Sequence, residues 1–182
     1  MPTYVILLRA VNVGGYGKLP MAEFRKTLSG LGFDRVETYI QSGNAVLDAK
    51  APAAKIAQSV AAALEKLTGA PVGVMVRTHE QLDCLIRENP FVKEAADGTK
   101  VHVAFLAGPA GLGARAALDR IVEQYQSRRD RYHLASDHIY FHLPDGAADT
   151  KFTGKTLDKA IGVIGTGRNW NTVLKLHAMS KR

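Results

Sequence analysis

The stretch Arg35-Val36-Glu37-Thr38-Tyr39-Ile40-Gln41, Ser42-Gly43-Asn44, Ala45-Val46-Leu47-Asp48 decides the fold. Two short runs rich in β-branched and aromatic residues flank a Ser-Gly-Asn turn, which predicts a β-hairpin with strands over 35–41 and 44–48. Upstream, the apolar run Tyr4-Val5-Ile6-Leu7-Leu8 predicts a strand over 3–11. Pro20 opens a helix over 20–31 that closes at Gly32. Downstream, Ile56, Val60, Ala63, Leu64 and Leu67 recur at helical spacing and predict a helix over 52–68 ending at Gly69. A strand over 72–77 and a helix over 79–88 follow, so the order is βαββαβ plus a helix.

Asn89-Pro90 and Ala96-Asp97-Gly98 interrupt this pattern and place a boundary near 89–99. The same order then starts again, with a strand over 101–107, a helix over 113–126, strands over 131–135 and 138–143, and a helix over 154–162. No residue-level repeat accompanies it, and the last strand gives way to a helix over 169–179. The expected fold is α/β (α+β), two ferredoxin-like βαββαβ plait units, the second incomplete and carrying the C-terminal helix. The expected domains are 1–90 and 99–182.

Right-handed crossovers in such a plait bring the exit of strand 1, the hairpin turn and the exit of helix 2 to one end of the sheet. In the first unit this rim gathers Asn12-Val13-Gly14-Gly15, Gln41-Ser42-Gly43-Asn44 and Thr68-Gly69-Ala70, with Asn12 beside Asn44. In the second it gathers residues 108–113 with Gly165-Thr166-Gly167-Arg168. Glycines at such a rim let backbone N–H groups face an anion, though they equally serve as tight-turn residues. Arg9 shares strand parity with Val5 and Leu7, so it needs a partner or a watered site. Gly14-Gly15-Tyr16-Gly17-Lys18 lacks the spacing of a Walker loop, and Gly108 to Gly113 does not fit GxGxxG.

The 182 residues, 46% of them apolar, suffice for one large or two small cores. No apolar run approaches the ~20 residues of a membrane span, and the start of the chain has no signal-peptide pattern, so a cytoplasmic location without membrane partners is expected. Cys84 is the single cysteine, which rules out an internal disulfide and a thiolate-rich metal site. Residues 1–97 hold 11 basic and 10 acidic side chains, whereas 98–182 hold 13 and 7, so +6 of the net +7 lies in the second half. Arg128, Arg129 and Arg131 lead that basic set, a footprint open to phosphate-bearing partners or to a solvated face. No nucleic-acid motif accompanies it. His138 and His142 share a strand face about 13 Å apart, too far to share a metal, and Ser42 lacks the context of a hydrolase nucleophile.

Four separated motifs carry a resemblance: Leu7-Leu8-Arg9-Ala10-Val11-Asn12-Val13-Gly14-Gly15, Leu19-Pro20-Met21, Thr38-Tyr39-Ile40-Gln41-Ser42-Gly43-Asn44, and Arg168-Asn169-Trp170-Asn171-Thr172-Val173-Leu174-Lys175-Leu176. Together they resemble a bacterial family of uncharacterised proteins, domain of unknown function sixteen-ninety-seven, over nearly the whole chain. The resemblance implies a pair of ferredoxin-like subdomains and brings no activity, cofactor or catalytic residue. By that resemblance members usually have glycine where Ala10 stands, and a Thr-Thr-Arg-Asn-Trp run where this chain has Thr166-Gly167-Arg168-Asn169-Trp170. Asn169 is placed to cap the last helix and Trp170 to anchor it.

The ligand-binding candidates are Arg9, Asn12, Gly14, Gly15, Lys18, Gln41, Ser42, Asn44, Thr166, Arg168, Asn169 and Trp170, with no metal site. The expected function is binding of a small anionic or nucleotide-like ligand at the glycine-rich rims. A nucleic-acid-binding module using the basic second half and a homo-oligomeric interaction protein are the alternatives. Cofactor, enzymatic activity and oligomeric state stay open at this point.

Overall fold

The computed structural model describes residues 1–12, 18–125 and 129–182. It is a mixed α/β structure with two four-stranded antiparallel sheets and six helices among the described residues. The chain divides into two compact units, Met1–Arg87 with Leu174–Arg182, and Glu88–Val173. No helix of the described residues is long and apolar enough to cross a membrane.

The first unit contains β1 (Thr3–Leu8), α1 (Met21–Gly30), β2 (Asp34–Tyr39), β3 (Asn44–Asp48), α2 (Ala53–Thr68), β4 (Val74–Thr78) and α3 (His79–Arg87). Its strand order is β2-β3-β1-β4. Phe24 and Leu28 of α1 and Ile56, Val60 and Leu64 of α2 recur every four residues or so, and all five are fully buried against Tyr4, Ile6, Leu8, Ala45 and Leu47 of the sheet. Both helices therefore cover one sheet face. Gly69 ends α2 in the left-handed conformation at φ 73°, its N–H donating to Glu65 O at 2.8 Å.

The second unit contains β5 (Val101–Leu106), α4 (Ala114–Gln124), β6 (Arg131–Leu134), β7 (His138–His142), α5 (Gly154–Ile161) and β8 (Gly165–Asn169), with order β6-β7-β5-β8. Leu118, Leu157 and Ile161 pack on Ala104, Leu106, Ile139 and Phe141. Equivalent backbone bonds recur in the two units. Leu8 N donates to Gly43 O at 2.8 Å as Leu106 N does to Asp137 O at 2.9 Å, and Arg9 N donates to Gly73 O as Ala107 N does to Ile164 O, both at 2.9 Å. Arg77 and Arg168 sit at matching positions, opposite Val5 and Val103.

Three expectations change. The second unit is not incomplete, because Gly165 to Asn169 forms β8 and pairs with β5 from Leu106 to His102. This strand carries no apolar alternation, and a Cβ at Gly165 would lie 3.0 Å from Leu106 Cδ2 and 3.2 Å from Phe105 O, so glycine fits the close approach of its neighbour. Strand β1 ends at Leu8 and not at 11, since Ala10 and Asn12 turn the chain at φ 56° and 55°. Helix α6 (Trp170–Ser180) starts in the second unit, but from Leu174 onward its residues belong with the first. There the His177 ring stacks on His79 at 4.6 Å and Arg182 pairs with Glu37 at 3.1 Å.

Candidate functional site

At the end of β1 three segments of the first unit meet. Leu8 N–H is taken by Gly43 O of the β2–β3 turn, and Arg9 N–H by Gly73 O before β4. Asn12 then acts as a clamp. Its Nδ2 donates to Gln41 O at 2.8 Å and to Leu19 O at 2.9 Å, while its Oδ1 accepts from Leu19 N at 2.8 Å. One side chain thus fixes residue 12 to residue 19 and both to the hairpin turn. On the far side of that turn Asn44, fully buried, donates from Nδ2 to Tyr39 O at 3.0 Å and to Ser42 Oγ at 2.9 Å.

The backbone of this rim is strained. Four described non-glycine residues have positive φ, and three of them, Ala10 (56°), Asn12 (55°) and Ile40 (46°), lie here. Asparagine tolerates that region, whereas a β-branched isoleucine does so at a cost of about 1–2 kcal/mol. Ile40 is nonetheless 47% exposed, so burial of its side chain offsets little of that strain. Gly43, at φ 78°, has no room for a side chain, since a Cβ would lie 2.5 Å from Val11 Cγ2 and 2.8 Å from Leu8 Cβ. Strained backbone that the surrounding hydrogen bonds over-determine is characteristic of ligand-contacting loops.

The charge at this rim has one sign. Residues 1–22, 38–47 and 68–78 contain no aspartate or glutamate, yet contribute Arg9, half-buried, Lys18, exposed, and Arg77, buried farther along β4 opposite Val5. Gln41 is also exposed, while Ser42 is half-buried. Gly14 and Gly15 lie outside the described residues.

The candidates from the second unit are placed differently. Thr166 and Arg168 face into the structure along β8, 6% exposed each. Arg168 Nη1 donates to Thr166 Oγ1 and to Gly167 O, both at 2.8 Å, and burial pushes the guanidinium down to about 10. Asn169 Oδ1 accepts from Thr172 N at 2.9 Å as the cap of α6, and Trp170 is 4% exposed. The structure brings Asn12, Gln41, Ser42 and Asn44 together in one unit and leaves Thr166, Arg168, Asn169 and Trp170 in the other. The second rim, where Ala110 N donates to Ser136 O and Leu106 N to Asp137 O, holds an acid and no cation across 104–113, 134–138 and 160–165. Sequence reasoning placed neither Ala10 nor Ile40 among the site residues, and a positive φ at a non-glycine residue leaves no pattern in a single sequence.

A family model described as "Protein of unknown function (DUF1697)" matches residues 1–140. Among solved structures, the chain is similar to the conserved bacterial protein SP0830 from Streptococcus pneumoniae, at 21% identity and a TM-score of 0.71 over 100% of this chain and 99% of that one. An unknown protein from Galdieria sulphuraria aligns at 10% identity and a TM-score of 0.25, over 99% and 91%. None of the curated proteins searched matches the chain.

Proposed function

The chain belongs to the DUF1697 family, and from that premise we propose that its first unit binds a small anionic, nucleotide-like ligand at the rim where β1, the β2–β3 turn and the entry to β4 meet. The observation that carries this is the charge of the three segments gathered there, with Arg9 and Lys18 present and no carboxylate among them. Asn12 is a positioning residue, because its amide is already committed to Leu19 and Gln41. Arg9 and Lys18 supply the attraction, and Ile40, exposed between β2 and the hairpin turn, offers an apolar edge. The second rim is left out of this role, since it carries Asp137 while the arginine expected there, Arg168, is buried along β8.

We also infer that each unit is a ferredoxin-like plait. The order with the first strand between the third and fourth supports it, as do two helices on one face. The nucleic-acid reading has less support, because Arg129 and Arg131 each hold a carboxylate, Asp145 at 2.6 Å and Glu94 at 2.5 Å. Nor is Trp170 offered to a partner, being buried in the chain itself.

The test is calorimetric titration of the full chain with inorganic phosphate, nucleoside monophosphates and nucleoside triphosphates, repeated on Arg9→Met and Lys18→Met. Saturable binding to at least one of them, lost in Arg9→Met with folding stability retained, is the expected result. Binding unchanged in both variants would overturn the assignment.

A further inference from the structure

Residues 89–98, which the sequence marks only as an interruption, form an ordered strap within the second unit. Asn89 Oδ1 accepts from Phe91 N at 2.8 Å, Phe91 is 7% exposed, Glu94–Ala96 makes a 3-10 turn, and Gly98 O accepts from Trp170 N at 3.1 Å. The strap meets the sheet at Arg131 on the edge strand β6. One guanidinium nitrogen, Nη2, donates to Glu94 Oε1 at 2.5 Å and stands 3.0 Å from His142 Nδ1, and Arg131 Cζ lies 5.1 Å from the centre of the Phe91 ring. Arg131 and His142 are register partners on β6 and β7, and the His142 and Phe91 rings are 6.0 Å apart. A guanidinium has no lone pair, so it must be the donor to His142. The neutral imidazole therefore carries its proton on Nε2 and accepts through Nδ1.

We propose that His142 is a pH-sensitive catch for this strap: a proton on Nδ1 removes the lone pair that Arg131 uses, sets an imidazolium against a guanidinium, and releases residues 91–97 from the sheet edge. Four charged groups face His142. Arg131 comes from β6, Glu94 from the strap, and Arg129 and Asp130 from the stretch entering β6, while its register partner on β5, Val101, brings no charge. The two carboxylates favour the imidazolium and the two arginines oppose it. Burial first, and then Arg131, outweigh the carboxylates and hold His142 below the ordinary histidine value. Opening the strap uncovers the ring and lifts the burial that holds it down, so the closed strap is favoured while the ring is neutral and loses ground as pH falls below the ordinary histidine range. Glu94 does not titrate in this window, because the Arg131 hydrogen bond holds its carboxyl below the usual range. His102, in the same unit, is also pulled down by burial and must be separated from His142 in any test.

The test is amide hydrogen exchange of the full chain at pH 7.5 and 5.5, corrected for intrinsic rates, on the unmodified protein, His142→Gln and His102→Gln. Glutamine can accept from Arg131 through Oε1 and does not titrate. The expected result is loss of protection over residues 91–97 at pH 5.5, with α4 and α5 still protected. That loss should be absent in His142→Gln and present in His102→Gln. A ring-nitrogen NMR titration of the unmodified protein gives the same answer without a variant, since His142 and the Phe91 ring must move with one midpoint. Unchanged protection at pH 5.5, equal loss in His142→Gln, a loss abolished by His102→Gln, or separate midpoints would each overturn the proposal.

Discussion

Replacing Asn12 tests whether one side chain holds the rim together. Three hydrogen bonds end on it, two from Nδ2 to carbonyl oxygens and one from Leu19 N to Oδ1. A hydrogen bond contributes about 0.5–1.5 kcal/mol net, and the exposed position lets water take over part of each, so their joint loss is set at about 1–2 kcal/mol. Asn12→Gly keeps the φ of 55° without strain and isolates this loss. Asn12→Ala adds about 1 kcal/mol for a Cβ in the left-handed region, giving about 2–3 kcal/mol. Asn12→Asp retains the acceptor for Leu19 N but turns a carboxylate oxygen toward Leu19 O and Gln41 O, so it should fall at or beyond the alanine variant. Urea unfolding followed by fluorescence and far-UV dichroism reads these as shifts in midpoint at constant slope. An alanine variant within 0.5 kcal/mol of the parent, or a glycine variant weaker than alanine, would refute the clamp.

Gly43→Ala should destabilise the chain by about 2–4 kcal/mol, since it combines a positive φ with contacts of 2.5 and 2.8 Å to Val11 and Leu8; a midpoint shift below 1 kcal/mol contradicts the geometry. Ile40→Asn should instead raise stability, by about 1 kcal/mol or about 2–4 °C in Tm, by relieving strain at an exposed position, and should weaken phosphate or nucleotide binding; a drop in Tm would show that the backbone there is not strained. Burial lowers His102, so the unfolded chain binds its proton more readily than the native one does. Native stability from this group is therefore full above about pH 6.5 and lost as pH falls below it, and a stability profile that stays flat from pH 7.5 to 5 argues against a buried neutral His102.

The hairpin at 35–48 and the helices built on Phe24, Leu28, Ile56, Val60 and Leu64 are legible in the sequence because their periodicity and turn chemistry agree. Strand β8 is not, because Gly165 and Gly167 hide it from any propensity scale; its pairing with β5 comes from backbone bonds that the neighbouring strand dictates. The meeting of Asn12 with the hairpin turn follows from topology, and the structure places Asn12 Nδ2 on Gln41 O. What sequence alone does not show is that Asn12 is spent on Leu19, that Ile40 is left-handed, and that Arg168 and Trp170 lie inside the second unit. Those facts depend on burial and on φ, which no single-sequence pattern encodes. Residues 89–98 are a similar case, since Pro90 and Gly98 look like a linker while Arg131, more than thirty positions away, orders them.

The most direct measurement is a backbone-amide NMR titration of the full chain with nucleoside monophosphate and, separately, inorganic phosphate. The proposed site predicts saturable shifts at Arg9 to Asn12, Lys18, Leu19 and Ile40 to Gly43, absent in Arg9→Met. Shifts confined to the second unit, or none at millimolar ligand, would contradict it.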